Sequence, residues 1–236
     1  MNWNYIKLIG IFLLLSGLFA FTNARSDARE ISEVTVIFQG ENNLYITREA
    51  VNKLLIQKRD SIASITKDAL VLNQLETALK ANELIRDAQV YLTVNGQLGA
   101  KVRQRTPIAR VSGDHQFYVD SEGTPMPLSP YYSARVPIVT GDIDKNHLQD
   151  IYALTKFIND DAFLRKNVVA LHKTKGEVVI SLRELDFEVI FGKIVSIEKK
   201  FNNLKAFYKK GMKDRSLDTF KTVSLEFESQ VVCTKK

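Results

Sequence analysis

Cysteine is almost absent. Cys233 is the single one in 236 residues, so no disulfide can form within the chain and the fold must rest on its core. No histidine is near it in the sequence, and it reads as a small, half-buried apolar residue rather than a reactive thiol. Histidine is scarce as well. His115, His147 and His172 are separated, and none has a Cys, Asp or Glu partner at a metal-ligand spacing. No G-x-S-x-G elbow, P-loop or G-x-G-x-x-G occurs. These absences predict no cofactor, no metal and no enzyme. The net charge of +6 comes from 33 Lys and Arg spread beside 27 acidic residues. A nucleic-acid binder needs a denser basic stripe or interleaved stacking aromatics, so that class is set aside. Proline is the most telling shortage: there are five, all between Pro107 and Pro137.

What the chain does have is an ordinary globular composition, 45% hydrophobic and 25% charged, and an apolar N-terminus. "YIKLIGIFLLLSGLFAF" (5–21) is interrupted only by Lys7 and Ser16. Two readings compete. One is a transmembrane helix over 6–22 after a short cytoplasmic tail, 1–5, with Trp3 and Tyr5 in the interfacial belt. The other is a signal peptide cleaved near "FTNA". Both put the rest of the chain outside the cytoplasm, and the first places the protein in the inner membrane as a single-pass chain.

A polar linker, 23–33, follows. "VTVIF" (34–38) alternates as a strand does. Thr47 can cap a helix carrying Ala50, Val51, Leu54 and Leu55, and Leu72, Leu75 and Leu79 mark a second one. Val90, Leu92 and Val94 then alternate, as do Leu98, Ala100 and Val102. A three-residue loop at 95–97 keeps both sets on one face. The unit 34–106 is thus β-α-α-β-β with its own small core.

The second region, 107–232, mixes strands at 117–119, 177–183, 186–192 and 222–227 with two helices, ahead of a short tail, 233–236. One helix is spaced by Leu148, Ile151, Tyr152, Thr155 and Ile158. The other carries Phe201, Leu204 and Tyr208 inward, with Lys200, Lys205, Lys209 and Lys210 as a wet side and Gly211 as a stop. The expected class is therefore α+β: a transmembrane helix, a small β-α-α-β-β domain, then a mixed or antiparallel β domain with two helices.

The opening of that region, "YVDSEGTPMPLS" (118–129), poses the one chemical question. Asp120 and Glu122 share a face of an extended segment, as an acid pair in a secreted hydrolase would. Asp120 with Gly123 three residues on is, however, a type I turn signature, and the turn is preferred. Pro125 and Pro127 cannot donate ladder bonds and hold their neighbours extended, so "TPMPLSP" is a stiff ribbon at an edge or surface. Met126 between them is a core plug.

The outline in combination resembles the FtsQ/DivIB family of bacterial division proteins, in which a POTRA domain is followed by a β domain. The carrying residues are "RDAQVYLTVNGQLGAKVRQRTPIARV" (86–111), similar to the family's POTRA hairpin and its junction; "FYVDSEGTPMPLS", similar to the β-domain opening; "SARVPIVTG" (133–141); and "FKTVSLEFESQVV" (220–232) at the close. The resemblance implies a non-enzymatic scaffold enriched at the division septum. It would bridge early and late division proteins by binding an FtsB–FtsL-type complex, with an FtsW/FtsI-type septal peptidoglycan synthase beyond it. It further implies β-augmentation at the last strand, with Thr222, Ser224 and Glu226 flanking the docking edge and Phe227 as an apolar anchor. Pro107, Asp120, Gly123, Pro125 and Pro127 would mark the junction between domains. The very short segment before the apolar run departs from many relatives, and the lack of a tryptophan after Phe227 departs from some. The alternative is another POTRA-containing envelope protein that assists polypeptide assembly or secretion. Such proteins end in a membrane barrel, for which the remaining length is too short.

Overall fold

The computed structural model describes residues 3–27, 34–40, 43–62, 69–93, 97–113, 115–227 and 230–236. The chain is mixed α+β, with one large sheet and six α-helices among the described residues. Its N-terminal helix, α1 (Trp3–Asp27), corrects the first expectation. Among the described residues no helix is long and apolar enough to cross a membrane. The run from Leu8 to Phe21, broken by Ser16, rises about 21 Å at 1.5 Å per residue, against an apolar bilayer core of about 30 Å. The helix also runs on through Arg25 into what the sequence suggests is linker, and residues 28–33 lie outside the described part.

The chain divides into two compact units. The first takes in residues 1–39, 48–81 and 87–103; the second takes in 40–47, 82–86 and 104–236. In the first, β1 (Val34–Phe38), α2 (Arg48–Ile62), α3 (Ala69–Lys80), β2 (Ile85–Leu92) and β3 (Leu98–Gln104) follow in chain order. The sheet order is β1-β3-β2, and β1 runs parallel to β3 with Val36 opposite Ala100. The i, i+4 pairs Val51/Leu55 and Leu75/Leu79 are buried, as are Ala88, Val90, Ala100 and Val102 on the strands. Of the expected hairpin loop, 95–97, residues 95 and 96 lie outside the described part. Just beneath it, Thr93 N–H donates to Gln97 O at 2.9 Å.

The second unit holds β4 (Pro107–Val111), β5 (Phe117–Asp120), β6 (Pro125–Met126), β7 (Ile138–Gly141), α4 (Gln149–Asp160), α5 (Ala162–Asn167), β8 (Val168–Thr174), β9 (Glu177–Leu182), β10 (Glu188–Lys193), α6 (Ile197–Asp214), β11 (Phe220–Ser224) and β12 (Val232–Lys235). Its nine strands are ordered β12-β11-β10-β9-β8-β7-β4-β5-β6. The row Val139, Leu171, Ile180, Val189, Val223 runs across the sheet in register and is buried, and Ile151, Leu154 and Ile158 of α4 and Phe201 and Leu204 of α6 join the same core.

Three helices stand where two were expected. The extra one, α5, is started by Asp161, whose Oδ1 accepts the Leu164 N–H at 2.9 Å. Gly211 is not a stop: it is buried inside α6, where a Cβ would come within 2.3 Å of Leu217 Cδ2, and the helix ends at Arg215 in the left-handed region. Nor is Lys200 on the wet side. It is 5% exposed, and its ammonium donates to Phe191 O at 2.7 Å and Lys193 O at 2.8 Å. Phe191 is the extra residue of a β-bulge in β10, and the lysine takes up its carbonyl; the Lys193 carbonyl, at the strand end, also accepts the Val195 N–H at 2.9 Å. Burial lowers the Lys200 pKa, with Glu226 opposing.

Candidate functional site

The acid pair resolves into a turn. Asp120 is buried at the end of β5. Its Oδ1 accepts the N–H of Glu122 at 2.9 Å and of Thr124 at 2.8 Å, while Gly123 N–H donates to Asp120 O at 3.0 Å. Gly123 sits at φ +80, which a side chain resists, and the Tyr152 ring would lie 3.0 Å from any Cβ there. Arg105 Nη1 holds Asp120 Oδ2 at 2.7 Å. Glu122 pairs instead with Arg86 on the surface. The two carboxylates are thus held by two different arginines, one pair with a buried carboxylate and the other on the surface.

The ribbon beyond the turn is anchored by Met126, which is fully buried with Tyr45 and Tyr118 and flanked by Leu84, Leu128, Ala134 and Val136. Ser129 Oγ donates to Tyr45 O at 2.6 Å, and Gln104 Oε1 accepts from Tyr45 N at 2.8 Å. Burial, then the neighbouring hydroxyls of Tyr132 and Tyr118, push the Tyr45 phenol from 10.0 up to about 12. The unfolded chain therefore releases this proton first. Tyr45 contributes stability that is complete below pH 10.0 and is lost as pH rises towards about 12. Urea midpoints across that window should fall more steeply in the parent than in Tyr45→Phe; parallel declines would disprove the assignment.

At the other end of the sheet lie the residues expected to dock a partner. Thr222 and Ser224 are on β11, which pairs in parallel with β10 and antiparallel with β12. Their strand is interior, and the rim belongs to β12. Glu226 follows β11 with its carboxylate accepting from Ser224 Oγ at 2.9 Å, and Phe227 is 49% exposed. The sequence did not show β12, because "VCTK" is short and ends in charge.

Which β12 amides are free follows from one bond. Leu225 N–H donates to Ile190 O on β10 at 2.8 Å. Successive residues of a strand aim their amides to opposite sides, so Ser224 and Thr222 face β12. Their register partners Val232 and Thr234 face inward, and Cys233 and Lys235 direct N–H and C=O to the open side. The Cys233 thiol meanwhile packs against the core, and burial raises its pKa.

The histidines do other things. His147 Nδ1 lies 2.6 Å from Asp144 Oδ2 on the surface, and His172 sits between Thr140 Oγ1 and Thr174 Oγ1, each at 2.9 Å. Among the described residues no three His, Cys, Asp or Glu gather into a metal-binding group.

Comparison with known families gives two matches. Residues 106–234 match the model described as FtsQ/DivIB, C-terminal related, and residues 32–103 match the POTRA-like domain. No curated protein matches. One similar solved structure is the major extracytoplasmic domain of the trans isomer of the bacterial cell division protein DivIB from Geobacillus stearothermophilus, at 16% identity and TM-score 0.35, over 48% of this chain and 96% of that one. At that TM-score the likeness carries no weight for this chain.

Proposed function

The chain belongs to the FtsQ/DivIB C-terminal-related family, and on that premise we propose that it serves cell division as a non-catalytic scaffold whose β12 edge takes up an extended partner segment. The single observation that carries this reading is the free rim of β12, with the outward N–H and C=O of Cys233 and Lys235. An added strand there satisfies backbone groups that otherwise only water meets. The partner class is the FtsB- and FtsL-type division proteins, and the place of action is the division septum, outside the cytoplasm. Thr222 and Ser224 on the neighbouring strand, with Glu226 just after it, then shape the edge rather than pair with the partner. Phe227, exposed beside that strand, supplies an apolar anchor.

Cys233→Pro tests the edge. The outward N–H is unused by the β11 ladder, and proline is tolerated on an edge strand where its nitrogen faces solvent. The expected result is a loss of affinity for the FtsB-type segment of about tenfold, with the circular dichroism unchanged. Cys233→Ala, which keeps the N–H while shedding the thiol, should bind as the parent does. Equal affinity for the proline and alanine variants would sink the docking assignment.

A further inference from the structure

The large sheet has two rims, and only one of them can receive a strand. At one lies β12 and at the other β6. The direction of the β6 amides follows from two bonds. Ser121 N–H donates to Thr106 O at 2.8 Å, and Asp120 N–H donates to Thr124 O at 3.0 Å. Residue 121 therefore faces the β4 side, and residues 120 and 118 face β6. Tyr118 stands opposite Met126 in the register, so the two form a bonded pair and the Met126 N–H is spent inward.

The nitrogens on the outer side are those of Pro125 and Pro127, and neither carries a hydrogen. This rim presents carbonyls and no donor. A cavity of about 440 Å³ borders Pro125, Met126 and Pro127. The opposite rim is the reverse case, with both donors and acceptors free at Cys233 and Lys235.

We infer that the Pro-Met-Pro triplet is a strand-exclusion device that stops β6 of one copy from receiving β12 of a second copy. That contact would join unlike rims. It would leave a further free rim at each end, and so would propagate without closing. With the prolines in place, each outward carbonyl of an arriving β12 meets a ring instead of an N–H and is buried unpaired. Met126 is what locks the triplet in this orientation, because its side chain fills the Tyr45–Tyr118 cluster. A one-residue slip, which would turn an N–H outward, would also expel that side chain from the core.

The test is Pro125→Thr with Pro127→Thr in the full chain, leaving Met126 untouched. Parent and variant are compared by sedimentation equilibrium in the same mild detergent, which shields the exposed apolar residues of α1. The variant should gain a weight-average mass that climbs past twice the monomer's as concentration rises, while the parent stays monomeric. Adding Cys233→Pro should return the variant to monomer. A cooperatively folded double variant that stays monomeric overturns the inference. So does a dimer that stops growing and ignores Cys233→Pro, since that would be β6 pairing with β6. If the double variant does not fold, Pro127→Thr alone restores one outward donor: it should associate more weakly, and a monomeric result again overturns the inference. These outcomes do not depend on whether β12 docks a division protein.

Discussion

Arg105→Met should cost about 3–5 kcal/mol of stability, the loss expected when one member of a buried ion pair is removed and the other is left behind. Asp120 is 1% exposed on its side chain and Arg105 is 19% exposed, so water cannot replace the guanidinium at Asp120 Oδ2. Asp120 cannot escape by turning outward either. Its other oxygen already accepts two backbone N–H groups, and its own N–H and C=O close the turn. The cost should therefore be strongly non-additive. Asp120→Asn keeps an oxygen for the turn and removes the charge, so the double variant should be more stable than Arg105→Met alone. Urea unfolding followed by far-ultraviolet dichroism measures the cycle. A double variant as damaged as the sum of the two singles would show that the pair does not act as a unit.

Phe201→Ala should cost a comparable 3–5 kcal/mol. The ring is fully buried, stacks on Phe157 at 5.5 Å and 8°, and lies 5.2 Å from Phe191. It joins three layers at once: α6 to which it belongs, α4 through Phe157, and the sheet through Phe191. Alanine leaves a cavity that none of the three can close without moving its own element. Phe201→Leu refills most of the volume but loses the stacking, and should cost clearly less. If both substitutions cost the same, aromatic stacking rather than filled volume dominates, and the cavity account fails.

The sequence was most legible where one residue controls one local geometry. Asp120 and Gly123 make the turn their spacing implies, and the periodic leucines of α3 and isoleucines of α4 face cores as expected. It was misleading where a residue's role depends on what lies across from it. Lys200 has the spacing of a solvated lysine, yet the Phe191 and Lys193 carbonyls of β10 lie within its reach. Gly211 has the look of a helix stop, yet its missing Cβ is what makes room for Leu217. The apolar N-terminal run suggested a membrane span, and its length between polar residues falls short of one.

The β-α-α-β-β order of the first unit, the lack of a metal or nucleophile motif in the sequence, and the family resemblance were contained in the one-dimensional pattern, because periodicity, turn chemistry and motif spacing are local. Strand order is not local. Only the tertiary structure decided that Thr222 and Ser224 lie one strand in from the rim, that Cys233 and Lys235 hold the free amides, and that Pro125 and Pro127 point their nitrogens outward at the opposite edge. The physical reason is that a strand's outward face is set by which neighbour takes its other face, and those neighbours are distant in sequence.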